Sequence, residues 1–275
     1  MLRAVSLPSD EPLVSDRDVD EPSSYRIYDY LLGGCFNFAV DRAFARKLLT
    51  KVPWARDVAQ ANRGFLLRAV RHAAGRGIRQ FLDLGSGIMA GSRVDAIAQA
   101  VDERCRVAYV DRDTIAVAYA EVLLGGDERS TALRADVRDV SAVLARPQVA
   151  DLLDLREPVC LLMGKVLHFL PDTDDPAGMV AGYRDRLCAG SMVAITHATY
   201  DDVPDEVAKA APMYRAAREA MHDRSRAEIT RFFTGWDLVE PGVVFTSEWR
   251  PDCPPDADAT PGHAVFLAGV GIKPF

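Results

Sequence analysis

The stretch Gln80-Phe-Leu-Asp83-Leu-Gly85-Ser-Gly87 carries an apolar run into an acid and then into a glycine turn. The two glycines reach backbone conformations closed to other residues and let the turn approach a ligand closely. Beyond it, short apolar runs at 106–111, 130–135, 158–163 and 191–197 repeat the run at 78–84, each followed by a helix-like segment. That alternation predicts a parallel sheet covered by helices on both faces. The rhythm breaks after Tyr200. A helical stretch near 204–222 and a short one near 225–233 precede runs at 236–247 and 263–271, with a Pro-rich loop at 251–261 and no helix between. Those last two runs predict an antiparallel pair. The expected architecture is α/β: a Rossmann-like, mostly parallel, seven-stranded sheet ending in a C-terminal antiparallel hairpin.

Toward the N-terminus the pattern is helical. Ser23 and Ser24 can cap a first helix carrying Tyr25, Ile27, Tyr28, Leu31 and Leu32, and Gly33-Gly34 would end it. A second helix is expected from about Val40 to Thr50. A third, from about Arg56 to Ala74, places Val58, Phe65, Leu66 and Ala69 on one stripe before Gly75-Arg-Gly77 closes it. Residues 1–20 are polar, acidic and dotted with Pro, as a flexible tail is. A chain of 275 residues is at the upper end of what one core supports. The expected organisation is therefore one domain over 21–275, a helical N-terminal extension (21–77) joined to a Rossmann-like core (78–275).

Two further apolar runs end in acids: Ala108-Tyr-Val-Asp111 and Leu133-Arg-Ala-Asp136. Three successive strands ending in Asp place their carboxylates along one rim of the sheet, where ligands bind in open α/β folds. Asp111, with Arg112 beside it, is placed to grip a ribose diol. Asp136, with Val137 beside it, can accept from the exocyclic amine of adenine. Gly85-Ser-Gly87-Ile-Met-Ala90 satisfies the permissive form of the dinucleotide fingerprint, so an NAD-linked oxidoreductase is one reading. Asp83 argues against it, because an acid before the first glycine lies where a pyrophosphate would sit. Gly85 and Asp111 are also 26 positions apart, more than the roughly 20 of that fingerprint. S-adenosylmethionine (SAM) has no phosphate and carries an ammonium and a sulfonium, both of which welcome an acid. Five parallel strands with a terminal hairpin is, moreover, the plan of class I methyltransferases.

The chain resembles a family of bacterial SAM-dependent methyltransferases long catalogued as a domain of unknown function. The resemblance runs from Pro22 to Pro274, and its most distinctive piece is Ser24-Tyr-Arg-Ile-Tyr-Asp-Tyr-Leu-Leu-Gly-Gly-Cys-Phe-Asn37, followed by Asp41. Gln80 to Gly87, Pro158 to Asp172, Thr196-His-Ala-Thr199, Ser225 to Glu228, Phe232-Phe233 and Leu238 to Val244 carry the rest. It implies a SAM site on the sheet edge, roofed partly by the N-terminal helices, and no particular acceptor. Members usually follow the glycine turn with Leu-Pro-Thr and Asn-Val-His-Glu runs. Here the residues are Ile88-Met-Ala-Gly-Ser-Arg-Val-Asp-Ala96, with the acid moved to Asp95 and the histidine gone.

The expected cofactor contacts are Asp83, Gly85, Ser86 and Gly87, then Asp111 with Arg112, Asp136 with Val137, and Gly164. The resemblance adds Tyr28, Gly33, Gly34 and Asn37, a corner that could close over the methionine part of SAM. Tyr25 and Tyr28, at i,i+3, read equally as core packing. Methyl transfer from a sulfonium chiefly demands that nucleophile and methyl be held in line, and a base only when the acceptor must lose a proton. His168 is the candidate base, against a structural histidine bonding a loop carbonyl. His197 and Lys165 are weaker candidates, and Met213, Tyr214, Met221 and His222 lie in a segment (201–234) expected to line the substrate pocket. A non-catalytic SAM-binding protein is the remaining alternative.

Composition narrows the partners. The formal net charge is −7, and no Lys/Arg block stands out, which argues against a nucleic-acid backbone. No apolar run approaches a membrane span, and the N-terminus lacks a signal-peptide core. Five scattered cysteines without a CxxC pair imply neither a disulfide framework nor a metal site, and point to the cytoplasm. The expected substrate is a small molecule.

Overall fold

The computed structural model describes residues 20–89, 91–199, 201, 221–222, 224–252 and 265–275. The sequence-expected tail (except Asp20), most of the helical stretch near 204–222 with Met213 and Tyr214, and most of the Pro-rich loop lie outside the described residues.

Three helices come first: α1 (Ser24–Leu31), α2 (Ala39–Lys51) and α3 (Ala55–Gly75). The alternating part follows as β1 (Gln80–Leu84), α4 (Val94–Val101), β2 (Arg106–Asp111), α5 (Thr114–Leu124), β3 (Ser130–Arg134), α6 (Val140–Ala145), α7 (Pro147–Ala150), β4 (Val159–Gly164), α8 (Pro176–Arg186) and β5 (Met192–Ala198). After β5 come α9 (Arg226–Arg231), β6 (Asp237–Leu238), β7 (Val244–Phe245) and β8 (Phe266–Ile272). The sheet order is β3-β2-β1-β4-β5-β8-β6, with β7 also on β8. Strands β1 to β5 pair in parallel, and β8 runs antiparallel to β5, β6 and β7.

The expected sixth strand, 236–247, is in fact two short strands. Leu238 pairs with Gly271 and Val244 with Ala268, so one edge advances six residues while the other advances three. Glu240-Pro241-Gly242 causes the break: proline has no N–H for the ladder, and Gly242 sits at φ +88°.

Side-chain alternation divides the core. Leu82, Leu84, Ala108, Val110, Leu161, Met163, Val193 and Ile195 face one layer, packed by Met179, Val180 and Tyr183 of α8. Phe81, Val107, Tyr109, Cys160, Leu162 and Ala194 face the other, packed by Phe65, Leu66, Ala69 and Val70 of α3. By the same period of two, Asp83 points with Phe81 toward α3. Thus α3 forms part of the sheet's own helical cover, while α1 and α2 pack beside it around Ile27, Leu31, Ala45, Leu48 and Val52. Strand order reverses between β1 and β4, and their carboxyl ends open a crevice beneath α1 and α3. No described helix is long and apolar enough to cross a membrane.

Candidate functional site

That crevice is a cavity. Its floor is the turn after β1, where Gly85 (φ +74°) and Gly87 (φ +58°) adopt the left-handed conformations the sequence anticipates. The amides of Gly85 and Ser86 donate to the Val110 carbonyl, at 2.8 and 3.2 Å, and pin the turn to β2. A Cβ on Gly85 would stand 2.5 Å from Val166 Cγ2, and one on Gly164 would stand 2.6 Å from Leu66 Cδ1. Glycine at these two positions is what lets the loop after β4, and α3, close against the sheet edge.

Asp83, Asp111 and Asp136 all line this one cavity. Burial pushes the Asp83 carboxyl up to about 7, reinforced by repulsion from Asp111 and opposed by Arg63. Asp111 accepts from the Gly87 amide (2.8 Å) and the Asp113 amide (2.9 Å), so it shapes the turn as well as facing the cavity. Asp136 is gripped by Arg138 at 2.6 Å, and that hydrogen-bonded guanidinium holds its carboxyl below the ordinary range. Ser86, Arg112, Val137 and Gly164 line the cavity with them, as the sequence expects.

The roof comes from α1. Tyr25 and Tyr28 line the cavity, together with Ser24 and Leu32. Tyr28 donates its hydroxyl hydrogen to the Ala59 carbonyl (3.0 Å), and its oxygen accepts from Asn62 Nδ2 (2.8 Å). Burial raises the Tyr28 phenol to about 12, so it stays neutral. Lys165, at φ +60°, has its amide held by Thr196 Oγ1 at 2.9 Å and its Nζ 3.8 Å from the centre of the Tyr28 ring. A non-glycine residue in this conformation is strained, and such strain concentrates at ligand sites.

Four expected site residues lie elsewhere. Gly33 does end α1 with φ +83°, but neither it nor Gly34 or Asn37 lines the cavity. Asn37 Nδ2 donates to Asp29 (2.7 Å) and to the Gly34 carbonyl (3.0 Å), and a Cβ on Gly34 would collide with Asp29. Their corner is a clasp that fastens the end of α1. Asp41 builds a second clasp, accepting from Arg26 Nε (2.6 Å) and from the Ser23 and Phe38 amides, with both charged side chains buried. The Ser23 hydroxyl caps nothing. Most of the distinctive N-terminal motif thus holds the roof in place, and two of its tyrosines, Tyr25 and Tyr28, face the cavity.

His168 is the fourth. The single turn Leu167–Phe169 rotates it inward, where it is fully buried against Phe169, Phe266 and His197 and lines no part of the cavity. Burial holds its ring well below the ordinary histidine range, and neither ring nitrogen has a hydrogen-bond partner. A base must reach its proton, and this geometry does not carry His168 there. His197 is equally buried, its ring bonded by Nδ1 to the Ala198 carbonyl and by Nε2 to Arg224.

The sequence reading overlooks Asn62 and Arg63, which line the cavity from α3. The available signal was Asn62 itself, a polar residue on the apolar stripe of Val58, Phe65, Leu66 and Ala69. Asp95 is buried and bonded to Arg93 and the Tyr109 hydroxyl, fastening α4 to β2. Among the described residues no group of His, Cys, Asp and Glu is arranged to hold a metal ion.

No curated protein matches the chain at a significant level. A Thermobifida fusca YX protein provisionally assigned as a methyltransferase is 38% identical, with 94% of this chain and 97% of that one covered and a TM-score of 0.87. A DUF574 family protein of Streptomyces avermitilis MA-4680 is 35% identical over 94% and 99% of the two chains, with a TM-score of 0.89. The N-methyltransferase NodS of Bradyrhizobium japonicum WM9, solved with S-adenosyl-L-homocysteine (SAH), is 14% identical over 85% and 98% of the chains (TM-score 0.50) and shares the fold alone. The family model described as S-adenosyl methyltransferase matches residues 11–274. The chain belongs to that family, and it is a SAM-dependent methyltransferase of the Rossmann-like class.

Proposed function

We propose that the cavity beneath Tyr25 and Tyr28 holds SAM and presents its methyl group to a small-molecule acceptor entering beside Lys165. The observation that carries this reading is the convergence of Asp83, Asp111 and Asp136 on one cavity at the point where strand order reverses. The fit to SAM is chemical. A buried carboxylate at Asp83 suits an ammonium and opposes a pyrophosphate. Asp111 offers charged acceptors for ribose hydroxyls, Asp136 for an adenine amine, and Val137 and Leu66 give apolar walls.

SAM, when bound, supplies an electrophilic methyl on a sulfonium. The chain's own part is positioning and exclusion of water. Tyr28, fixed by Ala59 and Asn62, gives a rigid roof with no rotor left to order on binding. Val166, packed against Gly85, forms with Phe169 and Leu170 an apolar wall that keeps the cavity dry, while Lys165 sets a positive charge there. His168 takes no part in this proposal.

Calorimetry with SAM, SAH and NAD tests it. SAM and SAH should bind in the micromolar range and NAD should not. Equal or tighter binding of NAD would overturn the assignment of the cavity.

A further inference from the structure

We infer that Arg63, with Asn62 beside it, recognises the amino-acid end of the cofactor, with the Arg63 guanidinium pairing to its carboxylate. The inference rests on the SAM reading above and adds the residues that read the ligand's charge pattern. Both residues lie on the cavity side of α3, opposite the buried carboxyl of Asp83.

The hydrogen-bond inventory shows what these residues still need. Tyr28 spends its only hydrogen on the Ala59 carbonyl, so its oxygen can only accept, and the Asn62 atom facing it must be Nδ2. Asn62 Oδ1 is thereby left as an acceptor. It is buried, on a residue 1% exposed, and no partner satisfies it. Arg63 spends one amino group on the Ser92 carbonyl, in the loop after the glycine turn, and its Nε is buried without a partner. A buried donor and a buried acceptor left open side by side are costly in an empty site. An α-amino acid supplies both complements: a carboxylate for the Arg63 donor, and an ammonium for Asn62 Oδ1 and Asp83.

Charge gives the same answer. Asp83 already feels Arg63, whose field lowers its raised pKa. A zwitterion laid between the two satisfies both at once, whereas a ligand lacking the carboxylate leaves the buried Arg63 Nε without a partner. Arg63 also ties α3 to the loop after Gly87, so its pairing with the ligand would couple that loop to the bound state.

The test uses the full chain and two probes, SAH and its decarboxylated analogue S-adenosyl-thiopropylamine, which differ only in the carboxylate. The wild-type protein should prefer SAH by at least about tenfold, the worth of a charge-assisted pair. Arg63→Met should bind SAH about 10- to 100-fold more weakly while leaving the analogue within about twofold, which also shows that the variant folds. Arg63→Lys should recover part of the preference. An undiminished preference in Arg63→Met would overturn the inference and leave the SAM reading standing, as would equal loss of both probes in both variants. Wild-type protein that binds neither probe would bring down the SAM reading and this inference together.

Discussion

Replacing Asp83 by Asn should stabilise the ligand-free protein while weakening its hold on the cofactor, and the stabilisation should grow with pH. Asp83 is buried beneath α3, and desolvation carries its carboxyl from 3.8 to about 7. The folded protein therefore keeps a proton that the unfolded chain gives up, so stability is lost as pH rises from near 4 through about 7. Above that window the loss is complete. A rise of this size corresponds to about 4 kcal/mol at roughly 1.4 kcal/mol per pKa unit, an upper figure because a buried site relaxes around its charge. Asn has nearly the same shape and no charge to desolvate. Asp83→Asn should accordingly be more stable than wild type by several kcal/mol at pH 8 and by less than about 1 kcal/mol at pH 4.5. Denaturant unfolding of both proteins at the two pH values, without ligand, measures the difference directly. A gap that is the same at both pH values, or a variant less stable at pH 8, would refute the reasoning, because the cost of burying this carboxylate would then be absent.

Asp111→Ala should weaken SAH binding by about 1–3 kcal/mol in calorimetry, since a charged acceptor is lost and the Gly87 and Asp113 amides lose their anchor; an unchanged dissociation constant would make Asp111 a turn residue only. Gly164→Ala should destabilise the fold by about 1–3 kcal/mol in thermal unfolding, because its Cβ would stand 2.6 Å from Leu66 Cδ1 and push α3 off the sheet edge. His168→Phe should leave SAH affinity within about twofold and reduce the loss of stability on acidification. A buried neutral histidine depresses its folded pKa, so the unfolded chain takes up the extra proton as pH falls below about 6.5. A large loss of SAH affinity would return His168 to the site.

The rim acids were legible because a strand's period of two and its abrupt apolar ending locate a carboxylate without reference to any other part of the chain. Asp83, Asp111 and Asp136 each follow that local rule, and all three face the cavity. The N-terminal corner is ambiguous in the sequence for a physical reason: Gly34 and Asn37 look equally open to a ligand or to a neighbour, and Asp29 is the neighbour that takes them. Likewise, position just after β4 suggests that His168 is at the rim, yet one tight turn points its ring into the core. Asn62 and Arg63 were the least legible. They precede the glycine turn by some twenty residues, and only the packing of α3 across the sheet brings them to it. The split of the last edge into β6 and β7 was written in Pro241 and Gly242, which cannot continue a ladder.

The central claim is that one cavity, floored by the glycine turn and roofed by α1, binds the cofactor. Hydrogen exchange on the full chain, with and without saturating SAH, tests it most directly. Added protection should fall on the amides of 83–88, 111–113 and 136–138, and on 24–28 and 62–66 from the roof and α3. Residues 33–37, fastened to Asp29 away from the cavity, should change little. Protection that spares the glycine turn, or that gathers at 33–37 while leaving 24–28 unaltered, would contradict the account.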